Sequence, residues 1–131
     1  MKKAIVTTFL FAGIFVFCNS VQAQQPVRIE FAKGKISKVI TGNTGSYGTT
    51  YVVRARSGQK IVLKLLPTSS VGIKVEHDGR FGQQLLLRET RGGTYEVGLE
   101  ESGDYTIFIG ANSNRPSAFT LTVSIVKLTE I

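Results

Sequence analysis

From Val27 onward the chain repeats one pattern: apolar residues at every second position, in short runs broken by glycine-bearing turns. Side chains of a β-strand point alternately to two faces, so this period builds half-buried strands. Val27, Ile29 and Phe31 alternate with Arg28 and Glu30. After Gly34, residues 35–41 read as a second short strand, and Asn43-Thr44-Gly45-Ser46 as a turn. Tyr51, Val53 and Ala55 form the next apolar set, and Ser57-Gly58 reads as a two-residue hairpin turn into Ile61, Leu63 and Leu65. Residues 67–70 interrupt the pattern before Val71, Ile73 and Val75 resume it. His77-Asp78-Gly79-Arg80 reads as another turn, followed by a looser segment over 81–88. Three further apolar sets, at Tyr95/Val97/Leu99, Tyr105/Ile107/Ile109 and Phe119/Leu121/Val123/Ile125, complete the chain.

No stretch carries a helical period. About eight or nine closely spaced strands joined by glycine-rich turns predict an all-β fold, a single antiparallel sandwich or jelly roll with one core. Tyr51, Val53, Ile61, Leu63, Ile73, Val97, Ile107, Leu121 and Val123 are expected inside it.

The first residues obey a different rule. Lys2 and Lys3 precede an uncharged apolar run from Ala4 to Phe17, and Val21-Gln22-Ala23 has the small-x-small form of a signal-peptidase site. That run is shorter than the roughly 20 residues a spanning helix needs. The expected organisation is therefore a signal peptide over 1–23, a β-sandwich over 24–131, and no stable membrane insertion after cleavage. Cys18 follows Phe17 rather than a small residue, so it does not read as a lipid-modified cysteine. It is the chain's one cysteine, and its removal leaves a mature domain without disulfide, thiolate metal site or cysteine nucleophile. Export puts the protein in the periplasm or outside the cell.

Without Lys2 and Lys3 the mature domain keeps 14 basic and 9 acidic residues, a formal +5. Many of the basic residues stand at the polar positions of the strands, as on a solvated sheet face, which makes nucleic acid a poor partner. Chemistry is sparse. The single histidine, His77, sits in the expected His-Asp-Gly turn with no second histidine to share a metal, and reads as a solvated turn residue. No Gly-x-Ser-x-Gly elbow is present, and Glu100 and Glu101 would point to opposite faces of a strand. The sequence predicts no enzyme, no metal and no cofactor.

One local constellation is more specific: Ser102-Gly103-Asp104-Tyr105 at the mouth of a strand. Gly103 permits a sharp turn, Ser102 offers a hydroxyl, and the Tyr105 ring can bury while its hydroxyl bonds elsewhere, in the manner of a tyrosine corner. Taken alone, that describes a structural fastener more readily than a binding loop.

With this motif in view, the chain resembles the periplasmic inhibitors of g-type lysozyme, and more distantly the β-sandwich modules at the carboxyl ends of secreted bacterial peptidases. The resemblance rests on residues 27–34, on Thr50-Tyr51, on Ala55-Arg56-Ser57-Gly58-Gln59-Lys60, on Ser102-Gly103-Asp104-Tyr105 and on the threonine-rich last strand. It implies a g-type lysozyme as protein partner, inhibited by a Ser-Gly-x-Tyr loop inserted into a cleft that holds a catalytic glutamate. Ser102, Gly103 and Tyr105 match that motif. Asp104 fills its variable place and has to turn away from an acidic cleft. The resemblance also implies that the loop Asn112-Ser113-Asn114-Arg115 completes the same tip, with Arg115 as the basic contact. The other reading is a non-catalytic adhesion module that binds glycan or protein at the cell envelope.

Overall fold

The computed structural model describes residues 25–127. The expected leader, with Cys18 and the expected cleavage after Ala23, lies outside the described residues. Nine strands form: β1 (Val27–Arg28), β2 (Ser37–Asn43), β3 (Thr49–Ala55), β4 (Gln59–Leu66), β5 (Val71–Gly79), β6 (Gly82–Glu89), β7 (Gly93–Gly98), β8 (Gly103–Ala111) and β9 (Ala118–Lys127). They make two sheets, ordered β1-β3-β8-β5-β6 and β2-β9-β4-β7. Among the described residues no helix is long and apolar enough to cross a membrane.

The pairings are nested. β5 pairs β6, β4 pairs β7, β3 pairs β8 and β2 pairs β9, all antiparallel. One long antiparallel ribbon, closed at the β5–β6 turn, has thus rolled over on itself. β4–β9 and β5–β8 pairs seal the roll. This is a jelly-roll sandwich.

Its core is made by the alternation. All nine residues expected inside are buried, together with Leu65, Val71, Val75, Leu99, Tyr105, Ile109 and Phe119 among others. Several of these side chains have no exposed surface at all, as sheet faces packed about 10 Å apart require.

Four expectations are corrected. Ser57-Gly58 does not close a hairpin: β3 and β4 lie in different sheets, and the turn carries the chain from one to the other. A two-residue hairpin here would oppose Val53 to Val62 and Arg54 to Ile61, putting the apolar set of one strand on the polar face of the other. Crossing to the facing sheet lets both sets point inward. The second correction is His77, which is no turn residue. It lies within β5, facing the core, and is only 5% exposed. The turn falls two residues later, at Arg80-Phe81. Third, the segment after it is a regular edge strand, β6, whose alternation is broken by a bulge: Val75 pairs Leu87 while Glu76 pairs Leu85, leaving Leu86 as the extra residue. Last, β1 is shortened to two residues and runs parallel to β3.

Candidate functional site

β8 fixes where the candidate residues lie. Ser102 and Gly103 stand at its start and Asn112 follows its end. At about 3.3 Å per residue the two loops are about 26 Å apart, at opposite ends of the sandwich. Ser102–Tyr105 and Asn112–Arg115 therefore do not form one tip, which corrects the expectation from the sequence. A nine-residue strand inside a two-sheet sandwich spans its full height, and nothing folds its ends together.

At the first end the residues of the motif are used by the fold. Tyr105 is 1% exposed and its hydroxyl donates to the Glu101 carbonyl, four residues back. Its ring stacks on His77, centroids 4.1 Å apart and planes 13° from parallel. The His77 Nδ1 lies 2.9 Å from the Asp104 carbonyl oxygen, which can only accept, so Nδ1 carries the proton. Nε2 faces Glu101 Oε1 at 3.4 Å. Gly103 has φ +147°, and a Cβ there would stand 3.2 Å from the His77 ring. The Ser102 hydroxyl accepts the Ser57 backbone N–H at 2.9 Å, tying the β7–β8 connection to the β3–β4 crossing. Asp104 turns outward, where Arg28 holds it through two N–H donors at 3.2 and 2.9 Å. That guanidinium keeps the Asp104 carboxyl below the usual carboxylate range, and Asp104 in turn raises the pKa of Arg28.

The second end is built differently. Asn112 donates through its amide to the Thr90 carbonyl at 2.6 Å and the Ser69 carbonyl at 3.2 Å, linking the β4–β5, β6–β7 and β8–β9 loops. Ser117 adds the β2–β3 loop: its N–H donates to the Thr44 hydroxyl at 3.0 Å, and its carbonyl accepts the Thr44 N–H at 2.9 Å. Ser70 and Ser117 share a further hydroxyl bond at 2.9 Å. Two residues thus brace all four loops at this end. From the braced surface project Arg115 and Asn114, both exposed, and Tyr47, 83% exposed. Gly48, just after Tyr47, has φ +86° and passes so close to Phe108 that a Cβ would stand 2.3 Å from its ring, which fixes the path of that loop.

The chain shares this fold with proteins of known structure. Over 77% of its length, and 96% of the other chain, it is similar to Aeromonas hydrophila PliG, a periplasmic inhibitor of g-type lysozyme, with 26% identity and a TM-score of 0.67. Its fold is that of the g-type lysozyme inhibitors. Salmonella Typhimurium PliG matches over 79% of this chain and 99% of its own, at 24% identity and a TM-score of 0.61. A pre-peptidase C-terminal domain of a Bacillus anthracis collagenase shares the fold more distantly, over 79% of this chain and 97% of its own, at 13% identity and a TM-score of 0.50. No protein-family model and no curated protein sequence matches the chain. The resemblance read from the sequence holds at the level of fold, for the inhibitors and for the peptidase modules alike.

Tyr47 is the residue that sequence reading missed at the second end. Its signal was present: a large aromatic residue inside Gly45-Ser46-Tyr47-Gly48 has no strand face to bury against. Among the described residues no group of three or more His, Cys, Asp or Glu side chains is placed to hold a metal.

Proposed function

We propose that this protein is exported, processed after Ala23, and inhibits g-type lysozyme by seating one end of its sandwich in the enzyme's cleft. The observation that carries the reading is the shared fold with PliG, which extends over 96% of the Aeromonas inhibitor. The end bearing Tyr47 and Arg115 is the better fitted for the contact. Its four loops are braced before any partner arrives, which reduces the ordering cost of binding. Arginine and tyrosine are the side chains that most often dominate protein interfaces, and a guanidinium pairs a carboxylate through two parallel hydrogen bonds. Arg115 thus supplies the group a catalytic glutamate would accept.

The Ser102–Tyr105 corner is the other route of entry. It is favoured by one feature: Ser102 is exposed, and its hydroxyl accepts from Ser57 while keeping its own hydrogen to donate. Against it, the Tyr105 hydroxyl and the Asp104 carboxylate are already engaged within the chain.

The test is a titration of the mature protein against g-type, c-type and i-type lysozymes acting on peptidoglycan. Slowing of the g-type enzyme alone supports the reading. No slowing of any g-type lysozyme at micromolar protein leaves only the sandwich, and with it the adhesion-module alternative.

A further inference from the structure

The first end of the sandwich holds a cleft of about 480 Å³ that the proposed contact with lysozyme does not use. It opens beside β6 and β7, the outermost strands of the two sheets, each paired on one side only. His77 and Tyr105 form its floor, Gln84, Leu85 and Leu86 one wall, and Gly98, Glu100 and Glu101 the other. Two features set it apart. Along β6, Gln84 pairs His77 and shares its inward face, while Leu85 pairs Glu76 and shares its outward face, so regular alternation holds up to the bulge. The bulge then adds Leu86, which packs against the core beside Leu87 and lines the cleft, while Leu85, 52% exposed, borders the cleft from the outer face. Bulges at sheet edges commonly serve to re-aim a side chain in this way. The second feature is charge. In a chain of net +7, this mouth carries two adjacent carboxylates. Glu101 already accepts the Arg80 N–H at 3.2 Å, and Glu100 is exposed with no ion-pair partner among the described residues.

We propose that this cleft receives an extended peptide segment bearing a lysine or arginine, laid along the open edge of β6. Gly82 to Leu85, ahead of the bulge, offers that edge without a charged side chain or a proline. Such residues would otherwise blunt it against strand addition. The aliphatic stem of the basic residue lies against Leu86, and its charged head reaches Glu100 and Glu101. A second copy of this chain is the competing occupant. It would have to bring its own uncharged β6 edge and would leave the carboxylates unanswered.

The experiment uses an end-blocked Thr-Val-Thr-Lys-Val-Thr-Val peptide and its Lys→Glu counterpart, with binding followed by amide chemical-shift changes in isotope-labelled mature protein. The lysine peptide should shift Gly82–Leu86 and Glu100–Glu101, bind at least tenfold more tightly than the glutamate peptide, and weaken as salt is raised. Glu100→Lys should lose at least tenfold in affinity for the lysine peptide. Because Glu100 is exposed and unpaired, that variant should fold normally, which its unperturbed spectrum would report. Equal binding of the two peptides, shifts elsewhere on the protein, or none at millimolar peptide would overturn the proposal. So would concentration-dependent dimerisation through β6 in place of peptide binding. Glu100→Lys should inhibit g-type lysozyme as the unaltered protein does, so this test and that of the inhibitory end fail separately.

Discussion

Replacing Tyr105 with phenylalanine separates fastening from binding at the Ser-Gly-x-Tyr corner. The ring is 1% exposed and stacked on His77, and phenylalanine keeps both its volume and that stack. What goes is the hydroxyl's hydrogen bond to the Glu101 carbonyl. A typical neutral hydrogen bond contributes about 1 kcal/mol net, and leaving its part-buried acceptor unpaired adds to the loss, so a total of about 1–2 kcal/mol is expected. In a domain of this size each 1 kcal/mol moves Tm by roughly 4–8 °C, which puts the drop on the order of 5–10 °C by calorimetry or circular dichroism. The alkaline limb gives a second readout. Burial raises the pKa of Tyr105, and likewise that of Tyr51. Unfolded tyrosine ionises near pH 10, before the buried groups do. The stability these residues contribute is therefore complete below about pH 10 and falls as pH rises beyond it. With one such hydroxyl gone, Tyr105→Phe should lose less stability between about pH 9 and 11 than the unaltered protein. Inhibition of g-type lysozyme should be unchanged. An unmoved Tm combined with lost inhibition would refute this reasoning and return the hydroxyl to the partner.

Other outcomes follow from the same geometry. Leu63 is fully buried between the sheets, and Leu63→Ala should cost about 2–5 kcal/mol in denaturant unfolding. Asp104→Asn should lower Tm slightly at neutral pH. The Arg28 hydrogen bonds depress the Asp104 pKa, so their contribution is present above about pH 4 and is lost as pH falls through the depressed value. The gap between variant and parent should accordingly shrink in acid, and also in high salt. Periplasmic protein should give a mass beginning at Gln24, and reductant should leave its Tm unchanged. A mass retaining Cys18 would contradict the assigned leader.

The sheets were legible because the alternation is nearly unbroken. Tyr51/Val53/Ala55 and Ile61/Leu63/Leu65 can only face a core. The crossing at Ser57-Gly58 was also written in the chain, since pairing across that turn sets Val53 against Val62 and Arg54 against Ile61. A hairpin motif read without its register conceals that conflict. His77 was misplaced for a related reason. His-Asp-Gly has the composition of a turn, but the period of Val71, Ile73 and Val75 continues through position 77, and tertiary burial prevails over local preference. The candidate site was less legible. That Ser102 and Arg115 lie at opposite ends follows from the length of β8, which is visible in the sequence. That Asn112 and Ser117 brace four loops beneath Tyr47 is not, because it depends on which loops the nested pairing gathers at one end.

The central claim is that the chain inhibits g-type lysozyme through the end where Tyr47 and Arg115 project. Its most direct test is inhibition of peptidoglycan hydrolysis by Tyr47→Ala, Arg115→Ala and Ser102→Ala at equal concentration. Losing a charge-assisted hydrogen bond of about 1.5–3 kcal/mol, Arg115→Ala should weaken inhibition roughly tenfold to a hundredfold. Tyr47→Ala should lose at least about tenfold, as a central aromatic contact does, with Tm unmoved in both. Ser102→Ala should inhibit as the unaltered protein does. Full inhibition by Tyr47→Ala and Arg115→Ala, with loss in Ser102→Ala, would contradict the account and move the contact to the opposite end.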